Sequence, residues 1–163
     1  MMYRLIIIPL LFIAGCSLSE DELWVRVEAA KESSNWDSTL AVSQLILERY
    51  PDGRFAGWAR FAAAESYRFK NQPREALDNY KIFIERYPDL QPAAVSLFLV
   101  GFIYNNNLQN QDSARFYYER FLEKYPAHEL APSVRLEVEM LGRTPQEALN
   151  ERIAAQQRPL AKN

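Results

Sequence analysis

The sequence predicts an all-α protein made of about three stacked helical hairpins and a C-terminal capping helix. Three segments share one pattern, an amphipathic helix that ends in a Tyr-Pro pair, and they occupy residues 39–51, 76–88 and 114–126. Their prolines lie 37 and 38 residues apart. A fixed period of this size indicates stacked structural repeats. Apolar residues recur at helical spacing and no run alternates as a strand would, so we expect helices throughout.

Each Tyr-Pro helix follows another helical stretch, which completes a hairpin. In the third repeat the two stretches carry Leu97, Val100, Gly101, Tyr104, Ala114, Phe121 and Pro126. This spacing resembles the tetratricopeptide repeat, and the resemblance implies a right-handed α-solenoid of helix-turn-helix units. The sequence departs from the family pattern in having no opening Trp, a period longer than the usual one of about 34 residues, and a longer turn at 105–111. The added residues fall in turns, so we expect the hairpins to be kept.

The three repeats are predicted at 20–51, 54–88 and 91–126. We expect the first helix to run to about Ser33 and the second to end before Pro51, followed by helices at 54–70, 73–87, 91–106 and 111–125. Small residues are expected to face small residues where the helices of a hairpin cross. The first repeat is the least regular, because it has Thr39 where the others have alanine. The stripes predicted to form the core are Ala76, Tyr80, Phe83, Ile84 and Tyr87, and Ala114, Tyr118, Phe121, Leu122 and Tyr125.

After Pro126 the sequence predicts a terminal unit at 127–156 and a flexible tail at 157–163. A helix at 132–141 has one face to close the stack and an exposed side with Arg135, Glu137 and Glu139, as a capping helix needs. Gly142 is placed at the C-terminus of this helix. The segment Thr144-Pro145-Gln146-Glu147 forms a predicted capping box that starts a short last helix.

Residues 1–15 have the pattern of a leader peptide. Arg4 precedes ten largely apolar residues, which is typical of a secretory signal and shorter than the roughly 20 residues that span a bilayer. The segment Ile13-Ala14-Gly15-Cys16 resembles the lipobox of bacterial lipoproteins, which implies cleavage, acylation of Cys16 with chains such as palmitate, and a tether at 16–19. Ser17 resembles the outer-membrane form of the sorting rule, which implies a lipid anchor on the periplasmic side of the outer membrane. An ordinary signal peptide with an incidental cysteine and an uncleaved anchor are the alternatives.

Composition and motifs exclude several classes of function. The net charge is −2, and the repeats have no run of Lys or Arg, so a nucleic-acid partner is not expected. His128 is the single histidine; it has no Cys or His partner for a metal, and we interpret it as a solvated loop residue. No nucleophile elbow or phosphate loop is present. We therefore expect neither an enzyme nor a bound cofactor.

The first helices of such a stack line a concave surface, which repeat proteins use for binding. Helical phase places aromatic, charged and amide side chains on this surface. The candidate partner-binding residues are Trp24, Trp58, Phe61, Glu65, Arg68, Phe98, Phe102 and Asn105, with Glu28 and Lys31 beside them. The same aromatic residues could instead be core, covered by the C-terminal helix folding back.

Tetratricopeptide-like repeats behind a lipobox resemble the BamD-type lipoproteins of outer-membrane β-barrel assembly and the repeat domain of the Tol-associated periplasmic division coordinator. The resemblance implies a lipid-anchored periplasmic scaffold that binds envelope proteins, including an accessory role in outer-membrane protein assembly. BamD-type proteins have five repeats, whereas this chain has three. The alternative is a binding module for a peptide or peptidoglycan in envelope maintenance or division.

Overall fold

The computed structural model describes residues 18–143, 146–147, 149–150 and 153–154, and within these ranges the regular structure is helical. The helices are α1 (Glu20–Glu32), α2 (Trp36–Arg49), α3 (Ala56–Phe69), α4 (Pro73–Arg86), α5 (Ala93–Asn106), α6 (Gln111–Lys124) and α7 (Ala131–Met140). The described residues beyond Arg143 are also helical. None of the described helices is long and apolar enough to cross a membrane.

The helices form three consecutive hairpins, α1–α2, α3–α4 and α5–α6, and each hairpin packs against the next. Helix α7 packs on α6 at the end of the stack, and α1 also touches α3. This arrangement confirms the predicted α-solenoid with a terminal helix. The predicted leader, Cys16, Thr144, Pro145 and the tail at 157–163 lie outside the described residues.

Short polar side chains start several helices. Ser19 caps α1 in a capping box with Glu22, whose carboxylate accepts from the Ser19 amide at 2.8 Å. Asn35 and Asn110 accept from the amides of residues 38 and 113, each at 3.0 Å, at the starts of α2 and α6. Each of these side chains satisfies a backbone donor that has no partner inside the helix.

The Tyr-Pro pairs end α2, α4 and α6 in one geometry. Tyr50, Tyr87 and Tyr125 are the C-cap residues, with φ of −131°, −131° and −130°. Each donates its amide to the residue four positions earlier, at 2.7 to 2.9 Å. Because a following proline disfavours the helical conformation of the residue before it, the helix stops at each tyrosine.

Helices α3 and α5 begin two residues later than predicted, at Ala56 and Ala93. The preceding residues form turns instead, in which Ala56 donates to the Gly53 carbonyl at 3.2 Å and Ala93 donates to the Leu90 carbonyl at 2.9 Å. We expected Pro92 in the first turn of α5. It lies instead at the N-cap of this helix. In the first of these turns, the Glu20 carboxylate accepts from the amides of residues 54 and 55, at 3.2 and 2.7 Å.

The predicted core stripes are largely confirmed. One apolar cluster runs through the second and third hairpins to α7, and another joins α1, α2 and α3. Most stripe residues are buried, whereas Tyr87, Leu122 and Tyr125 are partly exposed. Thr39 is fully buried in place of alanine, and its hydroxyl donates to the Asn35 carbonyl at 2.9 Å, so this polar group is paired.

The expectation that small residues meet where helices cross is wrong for Gly101. A Cβ atom at this position would lie 2.5 Å from the Tyr118 ring, so the glycine makes room for a large aromatic side chain on α6. The ring fills the space that a small residue facing Gly101 would leave empty. Packing at interior density requires that space to be filled.

The capping role of α7 is confirmed, with one correction. Val134 is fully buried against the third hairpin, and Gly142 has a φ of +75° just after the helix, as predicted for a C-terminal glycine. Glu137 is half-buried and not on the exposed side, because its carboxylate accepts a hydrogen bond from the Tyr118 hydroxyl at 3.4 Å.

Candidate partner-binding face

The first helices of hairpins one and two form a groove, which we call the α1–α3 groove. Its volume is about 450 Å³. It brings together three of the predicted aromatic residues, charged residues of α1, and two uncharged residues of the turn before α5. The lining residues are Trp24, Glu28, Lys31, Glu32, Trp58, Phe61, Gln91 and Pro92. Sequence reasoning missed Glu32, Gln91 and Pro92, because they reach the groove through the stacking of hairpins and not through the phase of one helix.

The aromatic walls of the groove are held by packing. The Trp24 ring stacks on Phe55 with centroids 5.0 Å apart and an interplanar angle of 7°. Phe61 contacts the buried rings of Tyr80 and Phe83, with centroid distances of 6.0 and 5.4 Å. Trp24, Trp58 and Phe61 are each half-buried, so one part of every ring is anchored and another part faces solvent. Pre-positioned aromatic rings of this kind lose little conformational freedom when a partner binds.

Glu65, predicted to orient a partner, is already engaged within the protein. Its carboxylate lies 3.0 Å from the Lys31 ammonium, and both side chains are mostly buried. The same ammonium lies 5.8 Å from the centroid of the Phe61 ring. An ion pair between α1 and α3 therefore borders the groove, and Glu65 is not free to bind without giving up Lys31.

Arg68 lies one turn further along α3. Its guanidinium carbon lies 4.2 Å from the centroid of the Phe69 ring, on the neighbouring residue. Its buried Nε atom and the buried hydroxyl of Tyr80 lie close together, but neither makes a hydrogen bond of good geometry among the described residues. Burial raises the pKa of Tyr80, although the proximity and the charge of the Arg68 guanidinium act in the opposite direction. The Tyr80 phenol therefore stays neutral at neutral pH.

In the third hairpin, Phe98 stacks against Tyr118 at a centroid distance of 6.0 Å and touches Phe102 at 6.1 Å. Phe102 is 38% exposed, whereas Phe98 and Asn105 are half-buried. Helix α7 packs on α6 and leaves Phe102 uncovered. Glu65 and Arg68 of α3 and Phe98, Phe102 and Asn105 of α5 are not among the residues that line the α1–α3 groove, so the groove holds only part of the predicted surface.

A second cavity between α4, α5 and the turn before α6, of about 440 Å³, was not foreseen from the sequence. Here the Lys81 ammonium lies 2.6 Å from the Tyr104 hydroxyl, and the Tyr104 ring stacks on Tyr117 at 5.6 Å. Burial acts to lower the pKa of Lys81, but the hydrogen bond to Tyr104 and the neighbouring phenols raise it above its ordinary value. The ammonium is thus kept charged and already has a partner.

In the part of the chain that the structure describes, no group of His, Cys, Asp and Glu could hold a metal ion. His128 lies in the loop between α6 and α7, as predicted, and its side chain is only partly exposed to solvent. Its Nδ1 accepts from the Leu130 amide at 3.1 Å, and its ring meets Phe121 edge-on at 5.5 Å. The histidine therefore closes the turn between α6 and α7.

The tetratricopeptide repeat family model matches residues 58–90 and 95–128, which correspond to the second and third hairpins. The match supports the repeat pattern predicted from the sequence over the second and third hairpins, and the α1–α2 hairpin lies outside the matched segments. A solved structure described as "Crystal structure of MamA protein" is 12% identical, with a TM-score of 0.41, over 88% of this chain and 98% of that chain. No curated protein matches the chain.

Proposed function

We propose that the protein is a lipid-anchored periplasmic scaffold whose first-helix face holds an extended segment of an envelope protein. The observation that carries the proposal is the uncovered aromatic surface, made of the α1–α3 groove and Phe102. Aromatic residues in well-packed recesses supply much of the binding energy in protein interfaces. The match to the tetratricopeptide repeat model supports an interaction scaffold.

The start of the described chain supports a close lipid anchor. Leu18 packs against the cluster of the first hairpin, and its carbonyl accepts from the Tyr50 hydroxyl at 3.0 Å. The two residue steps from Cys16 to Leu18 cover at most about 7 Å when extended. Acyl chains on Cys16 would therefore keep the N-terminal end of α1 near the bilayer. In this proposal the scaffold stands beside the outer membrane and has an accessory role in outer-membrane protein assembly.

The test is partner capture from detergent-solubilised membranes, with thermal stability measured on the same preparations. We expect Phe102→Ala to remain folded and to lower capture about tenfold or more, because truncation of an aromatic anchor costs on the order of 2 kcal/mol. Arg68→Glu is expected to have a smaller effect unless the guanidinium is desolvated against a partner carboxylate. Phe116→Ala is the matched control, since Phe116 is an exposed phenylalanine on a second helix, α6.

Loss of folding in Phe102→Ala would identify this residue as core. If Phe102→Ala and Arg68→Glu both remain folded and capture every partner as the unchanged protein does, the first-helix face is not the binding site. Retention of the protein on peptidoglycan sacculi with no captured protein would favour the peptidoglycan-binding alternative.

A further inference from the structure

We infer that the α1–α3 groove recognises a lysine or arginine side chain in an extended segment of its protein partner. The inference rests on the proposed scaffold function and specifies the chemistry of the partner. Three features of the groove support it. Glu28 and Glu32 provide two unpaired carboxylates, and Trp24, Trp58 and Phe61 form an aromatic wall. The ammonium of Lys31 already lies near one ring of this wall.

The charges that line the groove are unbalanced. Glu28 and Glu32 are exposed and have no ion pair or hydrogen bond among the described residues. Lys31 is the one described cation of the lining, and Glu65 holds it at 3.0 Å. The other polar lining residue, Gln91, is uncharged. The groove therefore offers a partner two free negative charges and no free positive charge.

The wall beside these carboxylates suits a cation. Aromatic faces attract Lys and Arg side chains when the charge lies within about 6 Å of the ring centroid. The structure contains such a contact, since the Lys31 ammonium lies 5.8 Å from the centre of the Phe61 ring. Trp24 and Trp58 are half-buried in the same groove. An arginine or lysine of the partner can thus place its methylene stem on a ring and its charge near Glu28 or Glu32.

Other occupants fit less well. An acidic segment would bring like charges to Glu28 and Glu32, which costs binding energy. A wholly apolar segment would cover these carboxylates without offering them a hydrogen bond, and burying an unpaired charge is strongly unfavourable. Electrostatic complementarity therefore favours a basic segment among the extended peptides that the groove could accept.

The experiment uses the full-length protein in non-ionic detergent and follows tryptophan fluorescence. The chain has three tryptophans, and Trp36 lies outside the groove, stacked on Phe69 at 4.1 Å. In the Trp36→Phe variant, the emission reports on Trp24 and Trp58 alone. The probes are N-acetyl-triarginine amide and N-acetyl-triglutamate amide, and calorimetric titration of the unchanged protein provides a second measurement that does not depend on the variant.

We expect triarginine to change the emission saturably and triglutamate to leave it unchanged. The double variant Glu28→Gln, Glu32→Gln should weaken triarginine binding about fivefold or more, and added salt should weaken it in the unchanged protein. The matched control is Glu48→Gln, Glu85→Gln, which removes the same charge from exposed positions on α2 and α4. Equal binding of the two probes, or equal triarginine affinity in both double variants, would overturn the inference.

Failure of this inference is distinguishable from failure of the scaffold proposal. If Phe102→Ala reduces partner capture while Glu28→Gln, Glu32→Gln captures the partner fully, the scaffold stands and the basic-segment inference is wrong. If triarginine binds through Glu28 and Glu32 but no envelope protein is captured, the groove has the inferred chemistry and the proposed scaffold function is wrong.

Discussion

Tyr80 and Tyr118 occupy matching places in successive repeats, 38 residues apart like the prolines that follow them. Both side chains are fully buried, and burial raises the pKa of each phenol. Their hydroxyl groups differ, because Tyr118 donates to the Glu137 carboxylate at 3.4 Å, whereas the Tyr80 hydroxyl lies close to the Arg68 side chain without a hydrogen bond of good geometry. Burying the tyrosine hydroxyl at this repeat position therefore costs more free energy in Tyr80 than in Tyr118.

This difference predicts different effects of removing the two hydroxyl groups. Tyr80→Phe should leave the free energy of unfolding unchanged or raise it by up to about 1 kcal/mol, because it removes a buried polar group whose contact with Arg68 is not a well-formed hydrogen bond. Tyr118→Phe should lower it by about 1 kcal/mol and leave Glu137 without its donor. Urea unfolding of both variants tests this, and a loss of stability in Tyr80→Phe as large as that in Tyr118→Phe would contradict it.

Among the elements, the crossing of α5 and α6 depends on close approach at Gly101. The Tyr118 ring lies where a Cβ atom of residue 101 would be, at 2.5 Å. Alanine has a higher helix propensity than glycine by about 1 kcal/mol, so an open helical position would gain stability from this change. At this crossing the steric cost is expected to exceed that gain, because the ring is fully buried and cannot turn away.

We therefore predict that Gly101→Ala lowers the free energy of unfolding by about 1–2 kcal/mol. In a Tyr118→Leu background the ring is absent, and the same substitution should cost less than it does in the unchanged protein. A double-mutant cycle by chemical denaturation measures this coupling. Equal costs in the two backgrounds would show that the ring is not the source of the strain.

The described part of the molecule is a stack in which each hairpin packs on its neighbours, and the proposed anchor precedes its first hairpin in the sequence. The lipobox resemblance makes Cys16 the residue on which that anchor depends. Cys16 is the single cysteine of the chain, so no other thiol can replace it.

Replacement of Cys16 by serine should leave an unprocessed precursor or release the protein from the membrane fraction, since a serine hydroxyl does not replace the acylated thiol. Ser17→Ala is the adjacent control and should be processed and retained. Mass spectrometry of the N-terminal fragment, together with membrane fractionation, measures both outcomes. An unmodified thiol on Cys16 of the mature, membrane-bound protein would refute the lipid-anchor proposal.

The sequence by itself determined the number of hairpins, their order and most of their ends. These features depend on local physics: the 3.6-residue period of apolar residues, and the restriction that proline places on Tyr50, Tyr87 and Tyr125. The core stripes of α4 and α6 followed for the same reason. The helix ends and the core stripes could be predicted because each depends on residues within a few helical turns of one another along the chain.

Only the tertiary structure decided which parts of the first helices remain open. The stacking of Trp24 on Phe55, the pairing of Lys31 with Glu65, and the contact of Tyr118 with Glu137 join residues 19 to 34 positions apart. Helical phase assigns a residue to a face, but the distance between faces depends on how successive hairpins stack. The groove and its two unpaired carboxylates arise from that stacking, which no single repeat specifies alone.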